Sequence, residues 1–332
     1  MRVSFVIQRV SYAIFIFAIV VTLNFFIPRL GVDDPAEQFY PPQGGMSDVE
    51  FQIVQMHVRS MYGFDVSTGR QFLNYVQKLM KGDLGTSFQS GYPRVSDLIA
   101  ERLPWTLVLS VTNLLISAFF GIIIGAHSAV NRGRKLDTVI LNASTVMTAL
   151  PSFFLALVFS LYLGFEWGVF PAYTDPNLVS GFTWSFHGIS NVARNAALPV
   201  ISMAIGGIIG FGVSTRNSVI AVSNEDFILT ARAKGLSNRR VMHKHILRNG
   251  LLPIVTSLGM GLSGLIAGSV VIEQTFNWYG IGTLFLNANN NNDYPLMMGI
   301  MLLLSAIALL GNLIVDLLYA WLDPRTVSEG RR

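Results

Sequence analysis

Residues 225–253 read EDFILTARAKGLSNRRVMHKHILRNGLLP. Polar and basic side chains are concentrated here, while the sequence on either side is apolar over runs close to the roughly 20 residues that cross a hydrocarbon core. Ser223 stands three positions before Asp226, a capping-box-like start, and Glu225 adds negative charge at the helix N-terminus. Arg232 and Lys234 sit at the far end, and Gly235 supplies the left-handed residue that stops a helix. A second short helix is expected from near Ser237 towards His245, before Asn249, Gly250 and Pro253 open the next apolar run. The stretch therefore reads as helix, glycine turn, helix, lying along a membrane face. On physical grounds alone it suits either docking by another protein or an amphipathic surface helix held by anionic lipid.

Composition makes the same point for the whole chain. Hydrophobic residues form 52% and charged residues 13%, against about a quarter charged in soluble domains. The mean hydropathy is positive. An all-α integral membrane protein is expected. The absence of cysteine excludes disulfide frameworks, thiolate zinc sites and cysteine nucleophiles. The net charge of +4 is read as a record of topology rather than of nucleic-acid binding.

Six spans are expected, near residues 10–27, 105–127, 139–164, 196–216, 251–273 and 296–320. Arg2 and Arg9 precede the first, which raises a cleaved signal peptide. Its apolar run is too long for one and no small-x-small site follows, so it is read as a retained helix. Four regions follow: an N-terminal transmembrane helix (1–28), an extracytoplasmic loop region (29–103), a permease-like core of five spans (104–322) and a tail (323–332). Within the loop region, 49–62 and 70–81 have helical apolar spacing. Gly82, Gly85 and Gly91 then break the chain. Val95, Leu98, Ile99 and Leu103 mark a short amphipathic helix, with Pro104 beginning the next span.

Basic residues cluster in 128–138 (Arg132, Arg134, Lys135), in 217–250 and at both termini. Asp33, Asp34, Glu37, Asp48, Glu50, Glu166 and Asp175 lie in the opposite loops. By the positive-inside rule both termini and the 217–250 loop are cytoplasmic. Gly121 and Gly125, Gly206 and Gly210, and Gly264 and Gly268 repeat at the spacing that lets helices approach closely in lipid.

Catalytic signals are scarce. No G-x-x-x-x-G-K-[ST], H-E-x-x-H or G-x-S-x-G occurs. His243 and His245 are two apart on a helix and face different directions, a poor metal pair. Among ionisable residues in the spans, Glu273 and Asp316 stand out. Glu273, with Asn277 nearby, lies at the outer end of the fifth span. It suits a polar mouth or substrate path, or a simple interfacial carboxylate. Asp316 is read as a structural partner for a helix end or an arginine. Asn287, Asn289–Asn292 and Asp293 read as a solvated outer turn.

The motif E-D-F-I-L-T-A-R-A-K-G-L, followed by H-I-L-R-N and L-L-P-I-V, resembles the EAA loop of binding-protein-dependent ABC importer permeases, specifically the dipeptide, oligopeptide and nickel family of first-permease-subunit type. Gly82-Asp83-Leu84-Gly85-Thr86-Ser87-Phe88, Leu103-Pro104-Trp105-Thr106-Leu107 and Ala149-Leu150-Pro151-Ser152-Phe153 resemble its further motifs in order. So do V-x-E-x-x-F-x-x-x-G-x-G over 271–282, Asp293-Tyr294-Pro295 and Asp323-Pro324-Arg325. Gly31-Val32-Asp33-Asp34-Pro35 departs from the family's turn after the first span. The resemblance implies a type I ABC importer permease fold in a bacterial or archaeal inner membrane. It implies a second homologous permease, two cytoplasmic ATPase subunits and an extracytoplasmic solute-binding protein. ATP and magnesium would be bound by the ATPases, with no cofactor or metal in this chain. Glu225, Asp226, Ala231, Arg232, Ala233 and Gly235 would form the coupling helix, and the cargo would be a peptide, with oligosaccharide or nickel as alternatives. An ATP-independent secondary carrier and a lipid-bound scaffold are the readings from other classes.

Overall fold

The computed structural model describes residues 3–30, 47–62, 65–89, 91–264 and 269–322. All named elements among them are helical. They are α1 (Val3–Phe26), α2 (Asp48–Tyr62), α3 (Thr68–Met80), α4 (Val95–Val130), α5 (Lys135–Ala149), α6 (Ser152–Phe159), α7 (Phe186–Ser223), α8 (Asp226–Ala233), α9 (Leu252–Gly264), α10 (Val270–Thr275), α11 (Ile281–Asn290) and α12 (Tyr294–Leu322).

Among the described residues four helices are long and apolar enough to cross a membrane, corresponding to the first, second, fourth and sixth expected spans. A bent pair at the third makes up to five. The protein is a multi-pass membrane protein. The span expected at 139–164 is bent: its two helical halves meet at 98°. Leu150 and Pro151 are both extended (ψ 118° and 141°), because proline crowds the residue before it out of the helical region and lacks the N–H to continue the ladder. The expected span 251–273 is seen as α9 and α10, with 265–268 outside the described residues.

A second correction concerns Pro104. It begins no helix: α4 runs unbroken from Val95 through it, since in a membrane helix neighbouring elements can satisfy the freed carbonyl. The N-terminal part of α4 is held by a cluster of Val95, Ile99, Ile281, Leu284, Ala288, Leu296 and Ile300.

α4 and α7 form the central packed pair. A Cβ added at Gly125 would lie 2.3 Å from the Gly212 carbonyl oxygen, and one at Gly121 would lie 2.5 Å from the Phe211 Cβ. Small residues are therefore what lets these backbones touch. The expected partner pair Gly206 and Gly210 faces open space; Gly207, against Ser117, makes the close approach instead. Gly268, Gly31–Pro35 and Asp323–Arg325 fall outside the described residues.

α1 runs antiparallel to α12. Asn24 Nδ2 donates to the Met298 carbonyl (3.1 Å) near one end, and Arg9 pairs with Asp316 (3.3 Å) near the other. Asp316 thus has the arginine partner expected of it. The start of α1 and the end of α12 consequently share a side.

Candidate coupling surface and buried carboxylates

The 225–253 stretch folds as helix, turn, helix, but its start differs from expectation. Ser223 closes α7, and its hydroxyl donates back to the Val219 carbonyl (2.6 Å); it caps nothing. Glu225 is the N-cap of α8 in extended conformation, with no side-chain capping bond. The capping-box reading fails because a serine at a helix C-terminus finds its own i−4 carbonyl first. The stop signal holds. Gly235 has φ +75°, and its N–H donates to the Arg232 carbonyl (2.9 Å). The return segment is an α turn (Asn238–Arg240), a π-wound stretch (Val241–Leu247) and a last α turn (Arg248–Gly250).

α8 is anchored by its apolar underside. Ile228 and Ala231, three apart, enter a buried cluster with Val219, Val241 and Ile246. Glu225, Asp226, Arg232, Ala233 and Gly235 are exposed. Of the expected coupling residues, Ala231 alone faces inward. The structure adds Phe227 and Leu229, 43% and 60% exposed, to the outer face. Helical spacing could have found Leu229, which falls between the two anchor positions, but not Phe227, which stands four residues before Ala231. The result is a short outward face that mixes two apolar side chains with charges of both signs.

Glu273, expected at a polar mouth or substrate path, is enclosed at 0% exposure. Its Oε1 accepts from Thr106 Oγ1 (2.8 Å) and Ser269 Oγ (3.0 Å). Its Oε2 accepts from the backbone N–H of Gly282 (2.7 Å) and Thr283 (3.4 Å). Ile281 N–H donates to Thr106 Oγ1 (2.8 Å). A carboxylate and a threonine thereby satisfy the first amides of α11, which its glycine N-cap cannot. A Cβ at Gly280 would lie 2.2 Å from Glu273 Oε2. The E-x-x-F-x-x-x-G-x-G spacing is thus the space requirement of a buried carboxylate. Asn277 is exposed, at φ +51°, four residues from Glu273 but outside this network.

A second carboxylate repeats the arrangement. Asp293, expected in a solvated turn, is 1% exposed, and Asn287, Asn289 and Asn290 before it belong to α11. Ser87 Oγ donates to one of its oxygens, and Leu296 N–H donates to the other (3.2 Å). Burial pushes the Asp293 carboxyl up from its ordinary value, against the hydrogen bonds from Ser87, Phe88 and Leu296. The asparagine and aspartate content of 287–293 reads as a solvated turn, but contact with Ser87 of the Gly82–Phe88 loop covers the aspartate.

No group of three or more metal-ligating side chains suited to a metal ion occurs among the described residues.

Residues 117–328 match the model of the family described as binding-protein-dependent transport system inner membrane component. The chain is 33% identical to the oligopeptide transport system permease protein OppB of Haemophilus influenzae, over 97% of this chain and 98% of that one. It is likewise 33% identical to the oligopeptide transport system permease protein AppB of Bacillus subtilis, with the same coverages. Identity to the glutathione transport system permease protein GsiC of Salmonella choleraesuis is 32%, again over 97% and 98%. A multi-pass helical core, small-residue packing of α4 against α7, an outward-facing α8 ended by Gly235 and matches along nearly the full length all agree: the chain belongs to the binding-protein-dependent transport system inner membrane component family.

Proposed function

We propose that this chain is the permease subunit of an ATP-driven importer and forms half of a translocation path for peptides. The observation that carries the coupling part is the outward face of α8, where Phe227, Leu229 and Arg232 project from a helix held by Ile228 and Ala231. Two apolar side chains surrounded by charge suit a shallow protein groove better than an anionic lipid surface, which would favour an all-basic polar face. Glu225, Asp226, Arg232, Ala233 and Gly235 complete that face, which engages a cytoplasmic ATPase. The basic distribution supports cytoplasmic termini and a cytoplasmic 217–250 loop. A second homologous permease completes the path, two ATPase subunits bind ATP and magnesium, and an extracytoplasmic binding protein delivers the solute. The peptide assignment is supported by the names of the relatives, two oligopeptide permeases and a glutathione permease.

Purification of the tagged chain in mild detergent is expected to bring down a stoichiometric ATPase pair. Its absence sinks the reading in favour of an independent carrier. Gly235→Val is expected to abolish uptake of a labelled peptide while the spans still insert, because a β-branched residue at positive φ is strongly disfavoured. Uptake at the normal rate would refute the coupling role.

A further inference from the structure

Between α8 and the spans lies a polar fastening that the coupling surface does not include. Asp137, in the first turn of α5, is 3% exposed. One of its oxygens accepts from Ser128 Oγ (2.7 Å), near the end of α4, and from Arg216 Nε. The other accepts from the Gly133 N–H (2.8 Å) and from Arg216 Nη2 (3.0 Å). One carboxylate therefore joins the ends of α4 and α5, the turn between them, and α7. Arg216 lies seven residues before Ser223, about two turns from the point where α7 passes into α8.

A buried ion pair is weak evidence for stability, since an apolar replacement often does as well. What the bidentate geometry supplies is direction: a planar guanidinium on two carboxylate oxygens fixes both the distance and the rotation of the helices that carry them. α7 needs such a constraint. It is 38 residues long, and a sideways pull on α8 can bend or twist its end without moving the spans. The apolar cluster under α8 ties it to α7 and to the return segment, with Ala129 of α4 packed at its edge. Ser218 Oγ further holds the Gly250 carbonyl (2.7 Å). Among these fastenings, the Asp137–Arg216 pair is the one that includes α5.

We propose that Asp137 and Arg216 are positioning residues for energy coupling, making the ends of α4, α5 and α7 one rigid block that converts movement of α8 into movement of the spans. The proposal rests on the transport reading above. It is tested with the whole complex in proteoliposomes, by measuring solute imported per ATP hydrolysed. In Asp137→Asn and Arg216→Lys that ratio is expected to fall at least about fivefold, the lower end of typical coupling effects, while ATP is still consumed. The chain contains no cysteine, so Asp137→Cys with Arg216→Cys, alongside thiol-free partners, can be bridged by a short bifunctional reagent. Bridging is expected to restore the ratio. An unchanged ratio in Asp137→Asn overturns the proposal, as does loss of both single variants from the assembled complex, which would assign the pair to folding alone. A wild-type complex without solute-stimulated ATP hydrolysis would instead overturn the transport reading itself.

Discussion

At one end of the core, Glu273 and Asp293 turn their carboxylates inward, and helix amides and hydroxyls surround them. At the α8 end, Glu225, Asp226 and Arg232 turn outward, and apolar Ile228 and Ala231 hold the element in place. The first region is built for fixed geometry, because every donor around Glu273 is costly to leave without its acceptor. The second leaves its chemistry accessible, because its charges stay solvated and its anchor is small. A buried polar group specifies one arrangement; an exposed one remains available for binding.

Removing the Glu273 carboxylate is expected to have the largest effect. Glu273→Ala takes the acceptor from the Thr106 hydroxyl and the Gly282 amide and should destabilise the protein by about 3 kcal/mol or more. Gly280→Ala should cost about 1–3 kcal/mol through overpacking against the carboxylate. The thermal midpoint of the purified protein in detergent reads both. A wild-type midpoint for Glu273→Ala would mean that the Glu273 end is no more rigidly specified than the α8 end.

The α8 end divides by face. Ile228→Ala should cost about 2–4 kcal/mol locally, as a truncated core residue, and speed protease cleavage of the 225–250 loop. Leu229→Ala should change stability by no more than about 0.5 kcal/mol yet lower solute uptake. Reversal of these two phenotypes would place the anchor and the docking face the other way round.

The smallest effect is expected at Ser223. Among the described residues its hydroxyl serves the α7 carbonyl of Val219 alone, so Ser223→Ala should stay within about 0.5 kcal/mol. A loss near 1 kcal/mol, the usual worth of an N-cap, would restore the capping box.

Legibility followed the range of the interactions. The helices of the outer loop region, the glycine stop at 235 and most spans were readable because apolar periodicity and left-handed turns are local properties. The start of α8 was misread because Ser223 had two local carbonyl or amide partners within reach and took the one behind it. The run at 287–293 was misread because Asp293 is covered by Ser87, 206 residues away in sequence. Pro104 and Pro151 show the same limit. Both are helix breakers by propensity, yet one sits inside a continuous helix and the other marks a 98° bend.

The amino-acid sequence by itself determined that the chain is a helical membrane protein, where its polar helix–turn–helix stretch lies, and, through ordered motifs, which family it resembles. Hydropathy and turn chemistry suffice for that, because they act over a few residues. Only the tertiary structure decided which face of α8 is free, why E-x-x-F-x-x-x-G-x-G keeps its spacing, and that Asp137 meets Arg216. Those facts depend on which side chains meet across the packed helices, and hydrogen bonds between distant residues leave no periodic trace in the chain.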